Sequence, residues 1–212
     1  MASAGSDSVP TGKNIDPILW RRHDYFNICA LPLVFTTNLY YLATCPHSDI
    51  TSFTYRLQFI IFLIYITTDV FWLTLFPKSV PSPTFILVHH VICIICWTIP
   101  LYWDSTYADI SSELCVVEVN TWILTLRRHW KGPYISPILE FLFYFTWIVI
   151  RNIFYPYKFI ESFPKYLKHS EVRGGFFNDG LFFFILLFMM NYLNSKWTWD
   201  LFKSKFFKKA KE

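Results

Sequence analysis

Residues 53–76, FTYRLQFIIFLIYITTDVFWLTLF, and residues 84–103, TFILVHHVICIICWTIPLYW, decide the fold. A hydrocarbon layer about 30 Å thick calls for about 20 mainly apolar helical residues, and both stretches supply that length. Working outward, four further stretches meet it: Tyr25 to Cys45, Tyr107 to Leu126, Tyr134 to Tyr157 and Phe176 to Asn194. Between them stand proline-rich or polar turns: CPHSD at 45–49, PKSVPSP at 77–83, WDS at 103–105 and WKGP at 130–133. The expected fold is all-α, a polytopic transmembrane bundle of about six helices. The fourth stretch carries Asp109, Glu113, Glu118 and Asn120, so it can span only if other helices surround it.

Composition agrees. Of 212 residues, 54% are hydrophobic, 21% aromatic and 16% charged, and mean hydropathy is +0.33. A soluble domain carries roughly 25% charge, so a disordered chain, a nucleic-acid module and an ordinary cytosolic enzyme are excluded. The expected division is a cytosolic segment 1–24, a bundle 25–202 and a lysine-rich tail 203–212. The first twenty residues lack the apolar run of a cleavable signal peptide, which leaves the first span to address the chain to the membrane. Five cysteines, an odd set in or beside apolar stretches, read as small packing residues rather than a disulfide framework.

Thirteen of the nineteen Lys and Arg residues fall on the side that holds both termini, whereas Lys158, Lys165, Lys168 and Arg173 fall on the other. The positive-inside rule then puts both termini in the cytosol. The tail WTWDLFKSKFFKKAKE could hold a last helical turn against an anionic leaflet. Lys208 and Lys209 stand one register away from a dilysine retrieval signal and do not match it.

Ionisable side chains in hydrocarbon cost several kcal/mol unless paired or hydrated, so each is a candidate functional residue. At about 1.5 Å per residue, Asp69, His89, His90, Glu118 and Glu140 all fall about 8 to 12 Å from the cytosolic edge of their spans. Four helices are thus expected to place acids and imidazoles in one layer. A carboxylate beside an imidazole fixes its tautomer and orients it as a general base for acyl transfer, and the same residues suit an interhelical hydrogen-bond network. His89 shares a face with Cys93 and Cys96 while His90 points about 100° away. A zinc set of His89, Cys93 and an outside carboxylate is conceivable, but CIIC in an apolar helix reads as packing; no metal and no resident cofactor are expected. Glu140, Tyr144, Trp147 and Arg151 form a stripe on the fifth span, where Arg151 is expected to pair with Asp179 or Glu161 or to meet a lipid phosphate.

These residues together resemble the TLC-domain family of multispanning membrane proteins. The resembling features occur in the family's order: Tyr65 and Asp69 in IYITTDVF, the pair His89-His90 in ILVHHVI, Glu118-Val119-Asn120-Thr121 in VVEVNTWILTLRRHW, and Arg151 in WIVIRNIFYPY. Ile64 stands where the family often has glycine before the tyrosine, and Trp122 where a proline often follows the Glu-x-Asn-Thr run. The ceramide synthase branch carries a His-Asp-x-Ser-Asp run after the His pair; here the stretch reads SSELCVVEVNT. The resemblance therefore implies the other branch, linked to membrane lipid composition, sphingolipid homeostasis and endoplasmic reticulum trafficking. The leading expectation is an endoplasmic reticulum protein of lipid homeostasis that binds a lipid or acyl chain in an intramembrane cavity. His89, His90, Asp69 and Glu118 would form its reactive or polar end, and Tyr65, Asn120, Thr121, Glu140 and Arg151 would contact ligand. Two alternatives stay open: an acyl-CoA-dependent acyltransferase whose Arg127, Arg128 and Lys131 loop attracts the phosphates of acyl-CoA, and a cargo or interaction protein using the basic tail. The expected partners are membrane lipids, with acyl-CoA as a co-substrate in the second reading and no nucleic acid.

Overall fold

Asp16 opens the first helix: its carboxylate accepts from the backbone N–H groups of Ile18 (2.8 Å) and Leu19 (3.2 Å), and Pro17 occupies the first helical position. In the computed structural model, which describes residues 15–45, 49–102 and 105–206, helix α1 (Pro17–Thr44) therefore starts eight residues before the expected span. Helix α2 (Phe53–Leu75) is capped by Ser52 and stops before Pro77. Helix α3 is Pro83–Tyr102. The fourth stretch is two short helices, α4 (Thr106–Leu114) and α5 (Val117–His129). The fifth is continuous from Ile135 to Arg173, as α6 (Ile135–Thr146), a π-helical segment (Trp147–Phe154) and α7 (Tyr155–Arg173). Helix α8 (Asp179–Phe206) follows a left-handed turn at Gly174, φ 72°. The described residues contain no strand, and the all-α bundle expected from the sequence is the fold. Most of the lysine-rich tail, including Lys208 and Lys209, and most of segment 1–24 lie outside the described residues.

Four helical stretches are long and apolar enough to cross a membrane: Pro17–Thr44, Phe53–Leu75, Pro83–Tyr102 and Ile135–Arg173. The last, at 39 residues, is about 58 Å long and exceeds a bilayer core. Its charged half, with Lys158, Glu161 and Lys165, begins where the expected span ended. The surface is inverted relative to a water-soluble protein: Phe141 is 66% exposed and Phe188 60%, whereas Asp69 is 2% and Asn120 0%. Apolar side chains face lipid and polar ones pair inside.

The α4–α5 pair explains how polar residues cross such a bundle. Among the helix-interior prolines, Pro32 in α1 and Pro100 in α3 have no N–H, so each leaves the carbonyl four residues earlier without its helical donor. Those carbonyls belong to Ile28 and Cys96. The indole N–H of Trp122 donates to Ile28 O at 3.1 Å, and the Ser111 hydroxyl to Cys96 O at 2.9 Å. The break between α4 and α5 is covered in the same way, with Asn38 donating to Ser112 O (2.8 Å) and Tyr155 to Leu114 O (2.8 Å). One continuous span over Tyr107 to Leu126, as expected from sequence, is thus replaced by two enclosed helices whose polar residues repair breaks in their neighbours and in themselves.

Trp122→Phe is expected to lower stability in detergent by about 1 kcal/mol, the net value of one hydrogen bond. Pro32→Ala restores an N–H to Ile28 O, so Trp122→Phe should cost measurably less in that background. Equal shifts in the thermal midpoint in both backgrounds would contradict this role for the indole.

Candidate functional site

Helix α1 buries one stripe, Trp20, His23, Asn27, Leu31, Val34, Asn38 and Tyr41, at spacings of three or four. Its first polar members meet α2 and α3. Asp69 Oδ1 lies 2.6 Å from His23 Nε2, and Asp69 Oδ2 lies 3.3 Å from His90 Nδ1. The second approach lacks hydrogen-bond geometry, and His90 Nδ1 has no hydrogen-bond partner. Asn27 donates to the His23 carbonyl (3.1 Å) and accepts from the Tyr65 hydroxyl (3.0 Å). Tyr65, Asn27, His23, Asp69 and His90 are therefore one buried array across three helices, with a carboxylate between two imidazoles.

A second array surrounds Arg151 in the π-helical segment. Its guanidinium donates to Asn120 Oδ1 (3.0 Å), Asn194 Oδ1 (2.7 Å) and, more weakly, Thr121 Oγ1 (3.4 Å). It also lies over the rings of Trp147 (4.8 Å) and Trp197 (5.4 Å). Asn120 in turn donates to Thr146 Oγ1 at 2.9 Å. The expected pairing of Arg151 with Asp179 or Glu161 does not occur, because those acids are taken by His169 and by Lys158 and Lys165. The Trp197 ring beneath the guanidinium also meets His89 edge-on at 5.3 Å. The adjacent histidines thus divide between the arrays: His90 faces Asp69, and His89 faces Trp197 with its Nε2 3.7 Å from Cys93 Sγ.

A small cavity of about 30 Å³ lies at the centre of the bundle, lined by Phe62, Cys93, Trp97, Glu118, Tyr155 and Leu187 among others. Glu118, the second residue after the α4–α5 break, is its one acid. It forms neither hydrogen bond nor ion pair with Asp69 or the histidines, so the expected single layer is two arrays with Glu118 beside a cavity between helices. Glu140 stands outside this layer altogether: it is exposed and pairs with Lys205 at 3.0 Å. Among the described residues no group of three or more His, Cys, Asp or Glu side chains could hold a metal ion.

Three buried partners escaped the sequence reading. His23 and Asp24 look like the hydrophilic flank of a span beginning at Tyr25, yet Asp24 is 1% exposed and accepts from Arg128 (2.9 Å) while lying 2.9 Å from His129. Asn194 was the last residue of the sixth expected span, whereas α8 continues for three more turns. The Asp16-Pro17 start and the spacing of the α1 stripe are the signals that carry His23 into the bundle.

With this geometry in view, the family model described as TLC domain matches residues 22–203. The chain belongs to the TLC-domain family and is an integral membrane protein by that membership and by its apolar helices. No curated protein and no solved structure matches it.

His23→Ala and Asp69→Ala should each destabilise the protein, and the double variant should cost less than the sum by about 1 kcal/mol, since each single change orphans the partner. Strict additivity in thermal midpoints would show the pair is not coupled. Arg151→Met, which strips a donor from both Asn120 and Asn194, should cost about 2 kcal/mol.

Proposed function

We propose that the protein binds a membrane lipid at the bundle centre and serves sphingolipid or phospholipid homeostasis, in the endoplasmic reticulum, with both termini cytosolic. The observation that carries this reading is the α4–α5 break, which delivers Glu118 to the wall of a mainly apolar cavity between two buried polar arrays. Preformed ligand pockets have volumes of roughly 300–1,000 Å³. At about 30 Å³ the cavity has room for about one small group, so an acyl chain fits only if the walls part. The wall includes Cys115 and Glu118 at the helix break and Tyr155 at the end of the π-helical segment. Short irregular turns within helices are where such parting costs least, and π-helical turns recur at functional sites.

A second reading, an acyl-CoA-dependent acyltransferase, draws support from Asp69, which holds His23 and lies against His90 as a carboxylate does in front of a general base. Acyl-CoA would then be a co-substrate, and no resident cofactor would be needed.

Cys96→Met is chosen to fill the cavity without removing a polar partner. Photoreactive acyl-lipid labelling of this variant and of Glu118→Gln should fall severalfold relative to the unmodified protein, with the thermal midpoint of Cys96→Met kept. Unchanged labelling in both variants would remove the lipid reading. For the enzyme, purified protein given acyl-CoA with sphingoid amines or lysolipids should release an acylated product; none at any acceptor would remove the second reading.

A further inference from the structure

At the end of the bundle where α1 and α6 begin and α5 and α8 end, a pocket of about 390 Å³ opens to the outside. Five cationic side chains line it, Arg21, Arg127, Arg128, Lys131 and Lys205, against one carboxylate, Glu140. We propose that this pocket is a binding site for a phosphate-monoester headgroup of a lipid in the adjoining leaflet, distinct from the central cavity.

Two of these cations, Arg127 and Lys131, are not matched by a carboxylate and carry the argument for an anion. Arg127 places its guanidinium 4.2 Å over the Phe143 ring and 5.7 Å from Tyr144, with no carboxylate or other hydrogen-bond acceptor among the described residues. The rings orient the charge and leave its forked donors for a ligand, and such a planar fork matches phosphate oxygens. Lys131 donates to the Arg127 carbonyl at 2.9 Å, which holds its ammonium in the wall of the same pocket without cancelling its charge. Arg128 spends one arm on Asp24 behind the pocket and is 29% exposed along its side chain. Lys205 pairs with Glu140 and lies 4.4 Å over the Tyr144 ring. Outside the spans, its ammonium is pushed above the ordinary lysine range by Tyr144 and by Glu140, which keeps it charged at neutral pH.

Position chooses the lipid source. Trp20 and Tyr144 in the wall are of the residue types enriched at the membrane–water boundary, and exposed apolar side chains such as Ile138 and Phe141 lie along α6 beside the lining residues Ser136 and Glu140. A headgroup seated on Arg127 and Lys131 would leave its tails beside that apolar face. A phosphate monoester carries more charge than the diester of a bulk lipid and no bulky substituent, so it draws more from several cations at once.

The test uses the full-length protein in phosphatidylcholine nanodiscs with a fluorescent phosphatidate as probe. Phosphatidate should bind at least about tenfold more tightly than the matching phosphatidylcholine probe, weakening with salt, and Arg127→Gln with Lys131→Gln should remove most of that preference. Inorganic phosphate and coenzyme A are the soluble competitors. Neither should displace the lipid probe fully. Full displacement by coenzyme A would assign the pocket to a soluble phosphate ligand and overturn the lipid source, and equal binding of both lipids would overturn the site. Should the double variant not fold, the comparison of lipids and competitors on the unmodified protein still decides. Acyl labelling of the central cavity in Arg127→Gln should be unchanged, which separates failure here from failure of the central lipid site.

Discussion

A carboxylate enclosed by three helices has neither water nor lipid to solvate it, and the bundle is organised around supplying donors to such groups. Asp69 receives His23 from α1 at 2.6 Å, with His90 of α3 at 3.3 Å, and Asp24 receives Arg128 and His129 from α5. Both carboxylates draw on partners distant in sequence, so neither is satisfied until the helices are packed. Interhelical polar contacts are worth little singly in membranes, but the cost of leaving a buried charge unpaired is large. These acids therefore fix which helices are neighbours more than they add net stability.

The same constraint accounts for the irregular backbone. Prolines in α1 and α3 expose carbonyls, and the α4–α5 break exposes more, yet the carbonyls of Ile28, Cys96, Ser112 and Leu114 all receive side-chain donors. Irregular backbone at membrane depth is tolerated where protein surrounds it. Trp122 in α5 answers a proline on a different helix.

Much of this was legible in the sequence. Apolar run length gave the six stretches, and the polar fourth one correctly announced an enclosed element, because hydropathy and charge are local properties. The His89-His90 register also announced two different faces. What escaped depends on which atoms meet. A polar residue before an apolar run reads as flank until a buried stripe shows that the helix begins earlier, which is why His23 and Asp24 were missed. Arg151 was expected to seek an acid, but two asparagines, Asn120 and Asn194, reach it first. The π-helical segment shifts the register after Trp147, so Glu140 and Arg151 end in different surroundings: an exposed ion pair and a buried amide cradle.

The central acid and cation are joined indirectly. Arg151 is held by neutral amides and indole rings, and Glu118 lines the cavity within electrostatic reach of it, yet the two form no ion pair. Direct contact would recover part of the desolvation cost of both groups, and a shared hydroxyl recovers part of it at longer range. Here asparagines hold the cation, and the Thr121 hydroxyl stands between it and the acid, bonded to Glu118 and accepting weakly from Arg151. The acid and the guanidinium are thus linked through a hydroxyl beside the cavity rather than in direct contact, which keeps the break between α4 and α5 tied to the π-helical segment.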